Sequence, residues 1–283
     1  MNDKQPSTGD AAGPERRRSI GRVGVLPSLV TLGNLICGFA AIGLATVAQI
    51  RPVKMATLLK DVDPFTIAGV LIFSAMIFDA LDGKIARMAN LTSEFGAQLD
   101  SLCDIVSFGV APAYLVFLEA VSKDLFQHSR YAWVCAVLYI ICAALRLARF
   151  NVETEPDEES HRYFRGLPTP AAAGVIAGLA LLDASGQVPG HWAAKVMPFV
   201  TIVMSGLMVS RVKYIHLVNA LFRHKKPFTY LVLLVFLMLV VLAFAKYTEA
   251  ILLAGFAGYM LSGPAALAWS VLTRRAQKHD ARS

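Results

Sequence analysis

The chain has 283 residues, 56% of them hydrophobic, with a mean hydropathy of +0.55; that is too apolar for a soluble domain of this length and marks a polytopic membrane protein. Its formal charge of +7 does not signal nucleic acid, because Lys and Arg are scattered at the ends of apolar runs, where they anchor helices and meet anionic lipid heads. Cys37, Cys103, Cys135 and Cys142 lie in apolar stretches without a CxxC pair, and the histidines are dispersed with no HExxH, which argues against a disulfide framework or a thiolate metal site.

Residues 1–22 combine Pro, Gly, Ser and Asp with the run Arg16-Arg17-Arg18, a composition that predicts a disordered, basic cytosolic tail. From Val23 to Ile50 the chain carries no charge and shows no small-residue cleavage site, so this stretch reads as a retained first transmembrane helix. Thr31 and Asn34 lie three apart on one of its faces. Apolar segments at 64–88 and 96–121 follow. Further spans are expected near 131–150, 168–184, 192–210, 227–245 and 250–273, with a cytosolic tail at 274–283. The fold class is therefore all-α: a membrane-embedded bundle of about eight transmembrane helices over 23–273. The longest loop, 151–167, has an acidic middle that reads as solvated, and Pro168-Thr169-Pro170 suits the first turn of the next helix.

Orientation follows from the cations. With a cytosolic N-terminus, the inside segments hold 20 of the 27 Lys and Arg residues, which places both termini on the cytosolic side.

The stretch 79–104 interrupts this apolar pattern. Asp79 and Asp82 share a helix face near the end of the second span, and Asp100 and Asp104 share one near the start of the third. A short turn around Asn90 to Glu94 would fold the third span back antiparallel on the second, so that the four carboxylates converge. Each unpaired acid in a membrane helix costs about 2.5–3.5 kcal/mol on insertion scales, so four of them call for a positive charge or a watery cavity. Two divalent cations would balance the charge, and hard oxygen donors suit Mg²⁺ or Mn²⁺ better than zinc. The alternative is a solvated hairpin whose acids face water.

These residues form the pattern D-x2-D-G-x2-A-R-x8-G-x3-D-x3-D, matched at every named position. In this the chain resembles the CDP-alcohol phosphotransferase family of integral membrane enzymes. The resemblance implies attack of an alcohol on the phosphorus of a CDP-linked lipid, with CMP expelled. It implies that Asp79, Asp82 and Asp100 hold metal and that Asp104 is general base, metal contact or both. It also implies that Gly83, Ala86 and Gly96 leave room for the cytidine diphosphate, although close helix packing uses small residues too. Arg87 would pair with phosphate or with the acids. Thr31 and Asn34 occupy positions that approach the nucleotide in relatives, while a packing hydrogen bond is an equal reading of Asn34. Ser28 departs from the Asn usually found there. A homodimer is a further implication.

Three more segments, Arg146-Leu-Ala-Arg149-Phe-Asn151, Phe164-Arg-Gly-Leu-Pro-Thr-Pro-Ala and Leu207-Met-Val-Ser210-Arg-Val-Lys213-Tyr214, resemble the membrane-integral branch of that family whose acceptor is L-serine and whose lipid donor is CDP-diacylglycerol. Arg146, Arg149, Ser210 and Lys213 are then candidates for holding the acceptor or a lipid phosphate, and positive-inside anchoring also accounts for the arginines. The same mechanism with glycerol 3-phosphate or an inositol phosphate as acceptor, and a divalent-cation transporter, are the rival readings. Clustering of all four acids at one end of two helices speaks against transport, where paired broken helices mark a midplane site.

Overall fold

A computed structural model of the chain describes residues 25–50, 63–88, 94–122, 126–153, 163–187, 192–215 and 248–280. Helix α1 (Val25–Ile50) is followed by α2 (Pro64–Met88) and by a span made of α3 (Glu94–Asp104), a π-helical turn (Ile105–Val110) and α4 (Ala111–Ser122). Next come α5 (Phe126–Glu153), strand β1 (Tyr163–Arg165), α6 (Thr169–Ala184), α7 (Trp192–Val209), strand β2 (Lys213–Ile215) and α8 (Thr248–Asp280).

Among the described residues, six stretches are long and apolar enough to cross a membrane. The expected count of eight is not reached among the described residues, for two reasons. The span expected at 227–245 lies outside them, as do both predicted tails apart from the residues that continue α8. Helix α6 has only 16 residues, or about 24 Å of rise against about 30 Å of hydrocarbon. That shortness is tolerated because α6 is enclosed by protein: Ala171 through Leu181 are all buried, and α2, α7 and α8 pack around it. Its small residues permit that closeness, since a Cβ on Gly174 would meet the Phe256 ring of α8 at 2.4 Å. Large apolar side chains instead face outward on the surrounding helices, among them Phe39, Trp133, Phe199 and Trp269, as expected where the solvent is lipid.

The expectation of a purely helical chain needs one amendment. Strands β1 and β2 pair antiparallel, with Phe164 opposite Tyr214. The ribbon exists because Gly166 turns the chain at φ +83° and donates its N–H to the Val212 carbonyl at 2.8 Å. A Cβ at Gly166 would stand 2.3 Å from the Met208 carbonyl oxygen, so this turn admits glycine alone. Leu167 then donates to the Leu207 carbonyl, and α6 starts directly with proline in its first turn.

Two prolines within helices have matching consequences. Proline lacks the N–H that would bond to the carbonyl four residues earlier. In the third span Pro112 thereby leaves Phe108 without its α-helical partner, and the chain widens there, Ala111 donating to the carbonyl of Val106. The hydroxyl of Tyr139, on α5, donates to the freed Phe108 carbonyl at 3.0 Å. In α8, Pro264 frees Met260, and the Tyr214 hydroxyl donates to that carbonyl at 3.1 Å. Burial and the neighbouring Tyr259 push the Tyr214 phenol up to about 12, so it remains a donor at neutral pH.

Candidate active site

The four aspartates are delivered by two helices and organised by a third. Helix α1 packs against both α2 and α3 and presents its polar face to their acids. The Thr31 hydroxyl donates to Asp82, and Asn34 Nδ2 donates to Asp104 Oδ1 at 3.0 Å. This refines the hairpin expectation: the turn at 90–93 lies outside the described residues, and the acids of α2 and α3 are bridged through α1. Thr31 and Asn34, marked in the sequence as nucleotide contacts, here hold carboxylates.

Asp79, Asp100 and Asp104 come closest together, each offering an oxygen within 4.8 Å of the others. Asp82 is buried beside them, engaged with Thr31. At 4 Å, two unit charges at an effective dielectric of 20 interact by about 4 kcal/mol. The donors to Asp82 and Asp104, from Thr31 and Asn34, are neutral, and the Arg146 guanidinium that acts on Asp104 offsets one of four negative charges, so the cluster calls for a further cation. Oxygens around a Mg²⁺-sized ion at about 2.1 Å stand up to about 4.2 Å apart. The three oxygens lie within 4.8 Å of one another, close to that span, and a set of carboxylates alone suits a hard cation. The residues present fit a divalent ion.

The remaining candidates fall into two groups. Gly83 is exposed near the end of α2 and Gly96 is half-buried near the start of α3, both close in sequence to the acids they flank. Ala86 and Arg87 lie in the last turn of α2; their side chains, like that of Lys213 on β2, are outside the described residues. Arg146 is buried, acts electrostatically on Asp104 and donates from Nη1 to Thr169 Oγ1 at 3.1 Å. Arg149 points elsewhere. Its Nη2 donates to the Arg165 carbonyl at 2.7 Å and its Nη1 to that of Val209 at 3.4 Å, tying α5 to the ribbon and to α7. The Ser210 hydroxyl donates to the Leu207 carbonyl at 2.8 Å, at the end of α7. Asn151 donates to Ser101, next to Asp100, at 2.9 Å. The segment 146–151 is thus a set of tethers around the cluster.

Several contributors carried no signal in the sequence. Thr169 was legible only as part of a proline-bracketed helix start. Ser107, whose hydroxyl donates to the Asn34 carbonyl at 3.0 Å, and Tyr139 are single polar residues in apolar runs. The Pro112 that opens the π turn was the available clue.

A sequence model described as CDP-alcohol phosphatidyltransferase matches residues 24–207. Proteins named CDP-diacylglycerol–serine O-phosphatidyltransferase are similar to the chain. The one from Helicobacter pylori is 31% identical over 191 residues, covering 67% of this chain and 71% of the relative. That from Bacillus subtilis is 32% identical over 191 residues, covering 68% and 90%. That from Methanocaldococcus jannaschii is 38% identical over 152 residues, covering 54% and 65%.

Proposed function

The chain belongs to the CDP-alcohol phosphatidyltransferase family, and from that premise we propose that it transfers the phosphatidyl group of CDP-diacylglycerol to L-serine, releasing phosphatidylserine and CMP. The observation that carries this reading is the convergence of Asp79, Asp100 and Asp104 in a chain similar to proteins that bear that name.

In the proposed reaction the serine hydroxyl oxygen attacks the phosphorus that bears the diacylglycerol. The bond from that phosphorus to the CMP oxygen breaks, and the hydroxyl proton passes to Asp104. Asp79, Asp82 and Asp100 would hold one or two Mg²⁺ or Mn²⁺ ions, with Asp104 as an additional contact. When bound, those ions supply charge neutralisation for the phosphoryl oxygens and for the departing CMP. Thr31 and Asn34 keep Asp82 and Asp104 oriented, which is the reading their hydrogen bonds support. An oriented carboxylate accepts the proton without first having to find its geometry. Arg146, acting on Asp104 from α5, is proposed to receive the serine carboxylate. Gly83, Ala86 and Gly96 would leave space for the nucleotide, and Arg87 would meet its phosphates.

The site is proposed to face the cytosol of a bacterial cytoplasmic membrane, a reading supported by the distribution of Lys and Arg. The active form is proposed to be a homodimer, as the family resemblance implies; crosslinking in membranes would report a doubled mass.

Purified protein incubated with CDP-diacylglycerol, Mn²⁺ and one acceptor at a time tests the substrate. CMP release that depends on serine and yields phosphatidylserine is expected. Release only with glycerol 3-phosphate or an inositol phosphate would overturn the acceptor and leave the mechanism standing.

A further inference from the structure

The residues that aim Asp104 lie beyond the acidic motif. Asp104 ends α3, and the next residue begins the π turn. A π turn holds about one more residue than an α turn, and one residue is worth about 100° of rotation. The direction in which α3 presents Asp100 and Asp104 relative to α4 is therefore set by whether 105–110 stays in the wide form. Helix α4 is not free to compensate, since Ala111, Pro112, Ala113, Leu115 and Val116 are all buried.

Two side chains grip that turn. The Tyr139 hydroxyl, fully buried on α5, donates to the Phe108 carbonyl that Pro112 leaves open. The Ser107 hydroxyl donates to the Asn34 carbonyl, and the amide of the same Asn34 donates to Asp104. Helix α1 comes near enough for this because residue 38 is glycine: a Cβ there would stand 2.6 Å from the Ser107 Cα.

We propose that Tyr139 is a positioning residue for the transfer reaction: by holding the Phe108 carbonyl it keeps the π turn in the register that brings Asp104 to Asp79 and Asp100, with Ser107 as the second grip. The proposal rests on the reading of Asp104 as base or metal contact. The molecule supplies its own control, because Tyr214 holds the equivalent proline-opened carbonyl in α8, a helix that carries none of the four aspartates.

The experiment compares Tyr139→Phe, Ser107→Ala, Tyr214→Phe and Asp104→Asn in detergent-purified protein, reading kcat, the KM for CDP-diacylglycerol, and amide hydrogen exchange over 105–113. Tyr139→Phe is expected to lower kcat about ten- to a hundredfold, the scale of a small misplacement of a reacting group, with KM unchanged within about twofold. Exchange over 105–113 should become several-fold faster. Ser107→Ala should move the same two readouts in the same direction, and it decides the question if Tyr139→Phe does not fold. Tyr214→Phe should leave kcat and the exchange of 105–113 unchanged. A folded Tyr139→Phe, or failing that Ser107→Ala, with kcat within twofold of the parent or with unchanged exchange overturns the positioning role. An equal fall in kcat for Tyr214→Phe also overturns it. Asp104→Asn with near-native kcat would instead sink the underlying reading of Asp104, whatever Tyr139 does.

Discussion

Two charged regions of this bundle, joined by the Asn151–Ser101 hydrogen bond, use their charge in opposite ways. Of the four aspartates of α2 and α3, Asp82 receives a hydrogen bond from the Thr31 hydroxyl and Asp104 one from the Asn34 amide, and both bonds orient a carboxylate without neutralising it. At the end of α5 the guanidinium of Arg149 is engaged by two backbone carbonyls, and that of Arg146 meets Thr169. Charge that is oriented but not neutralised is available to a ligand. Charge engaged by backbone carbonyls, as at Arg149, fixes the positions of α7 and the ribbon. A run of acids and a run of bases that look equally functional in sequence are thus separated by what each side chain already touches.

The largest effect should come from removing whatever neutralises the acids. Excess chelator is expected to abolish turnover and Mn²⁺ or Mg²⁺ to restore it, while Asp79→Asn shifts the metal response with the protein still monodisperse. Full activity in chelator would erase the contrast, because the carboxylates would then be as self-sufficient as the arginines. Next in size is Asp104→Asn. Loss of a general base is expected to reduce kcat by about 10²–10⁴ with little change in the KM for CDP-diacylglycerol, measured in mixed micelles. Retained turnover would return Asp104 to a structural role beside Asn34.

The helical spans and the acid motif were legible because both are local. Apolar runs bounded by charge mark membrane helices, and carboxylates three or four apart must share a face. What the sequence did not carry is which helix sits between them. Thr31 and Asn34 stood out as a polar pair, yet their partners are 51 and 70 residues away, and no spacing rule reaches that far. The ribbon was hidden for a similar reason: its strands are three residues each and depend on Gly166, whose positive φ is meaningful only once Met208 and Val212 are known to lie against it. The π turn was the least visible feature, since Pro112 sits in a continuous apolar segment that reads as ordinary helix.

Arg146 and Arg149 sharpen the comparison within one helix. Arg146→Lys keeps the charge but loses the planar fork that pairs with a carboxylate. The expected outcome is a rise of about tenfold in the KM for serine, with the KM for CDP-diacylglycerol less affected. An unchanged KM for serine would move Arg146 into the tethering group with its neighbour.

Arg149→Ala should have the smallest effect on turnover. The substitution removes donors to the Arg165 and Val209 carbonyls. Hydrogen bonds from charged groups are worth about 1.5–3 kcal/mol each when well buried, but this side chain is only half-buried, and water competes for the same carbonyls. A net loss of about 1–2 kcal/mol is therefore expected, seen as a Tm lower by about 3–6 °C in a detergent melt. Since the ribbon also keeps its own backbone pairing and the Gly166 turn, it should stay docked, and kcat and the KM for serine should remain within about twofold of the parent. A rise in the KM for serine comparable to that of Arg146→Lys, with Tm unchanged, would show instead that Arg149 leaves its carbonyls for the substrate, and the division between the two arginines would fail.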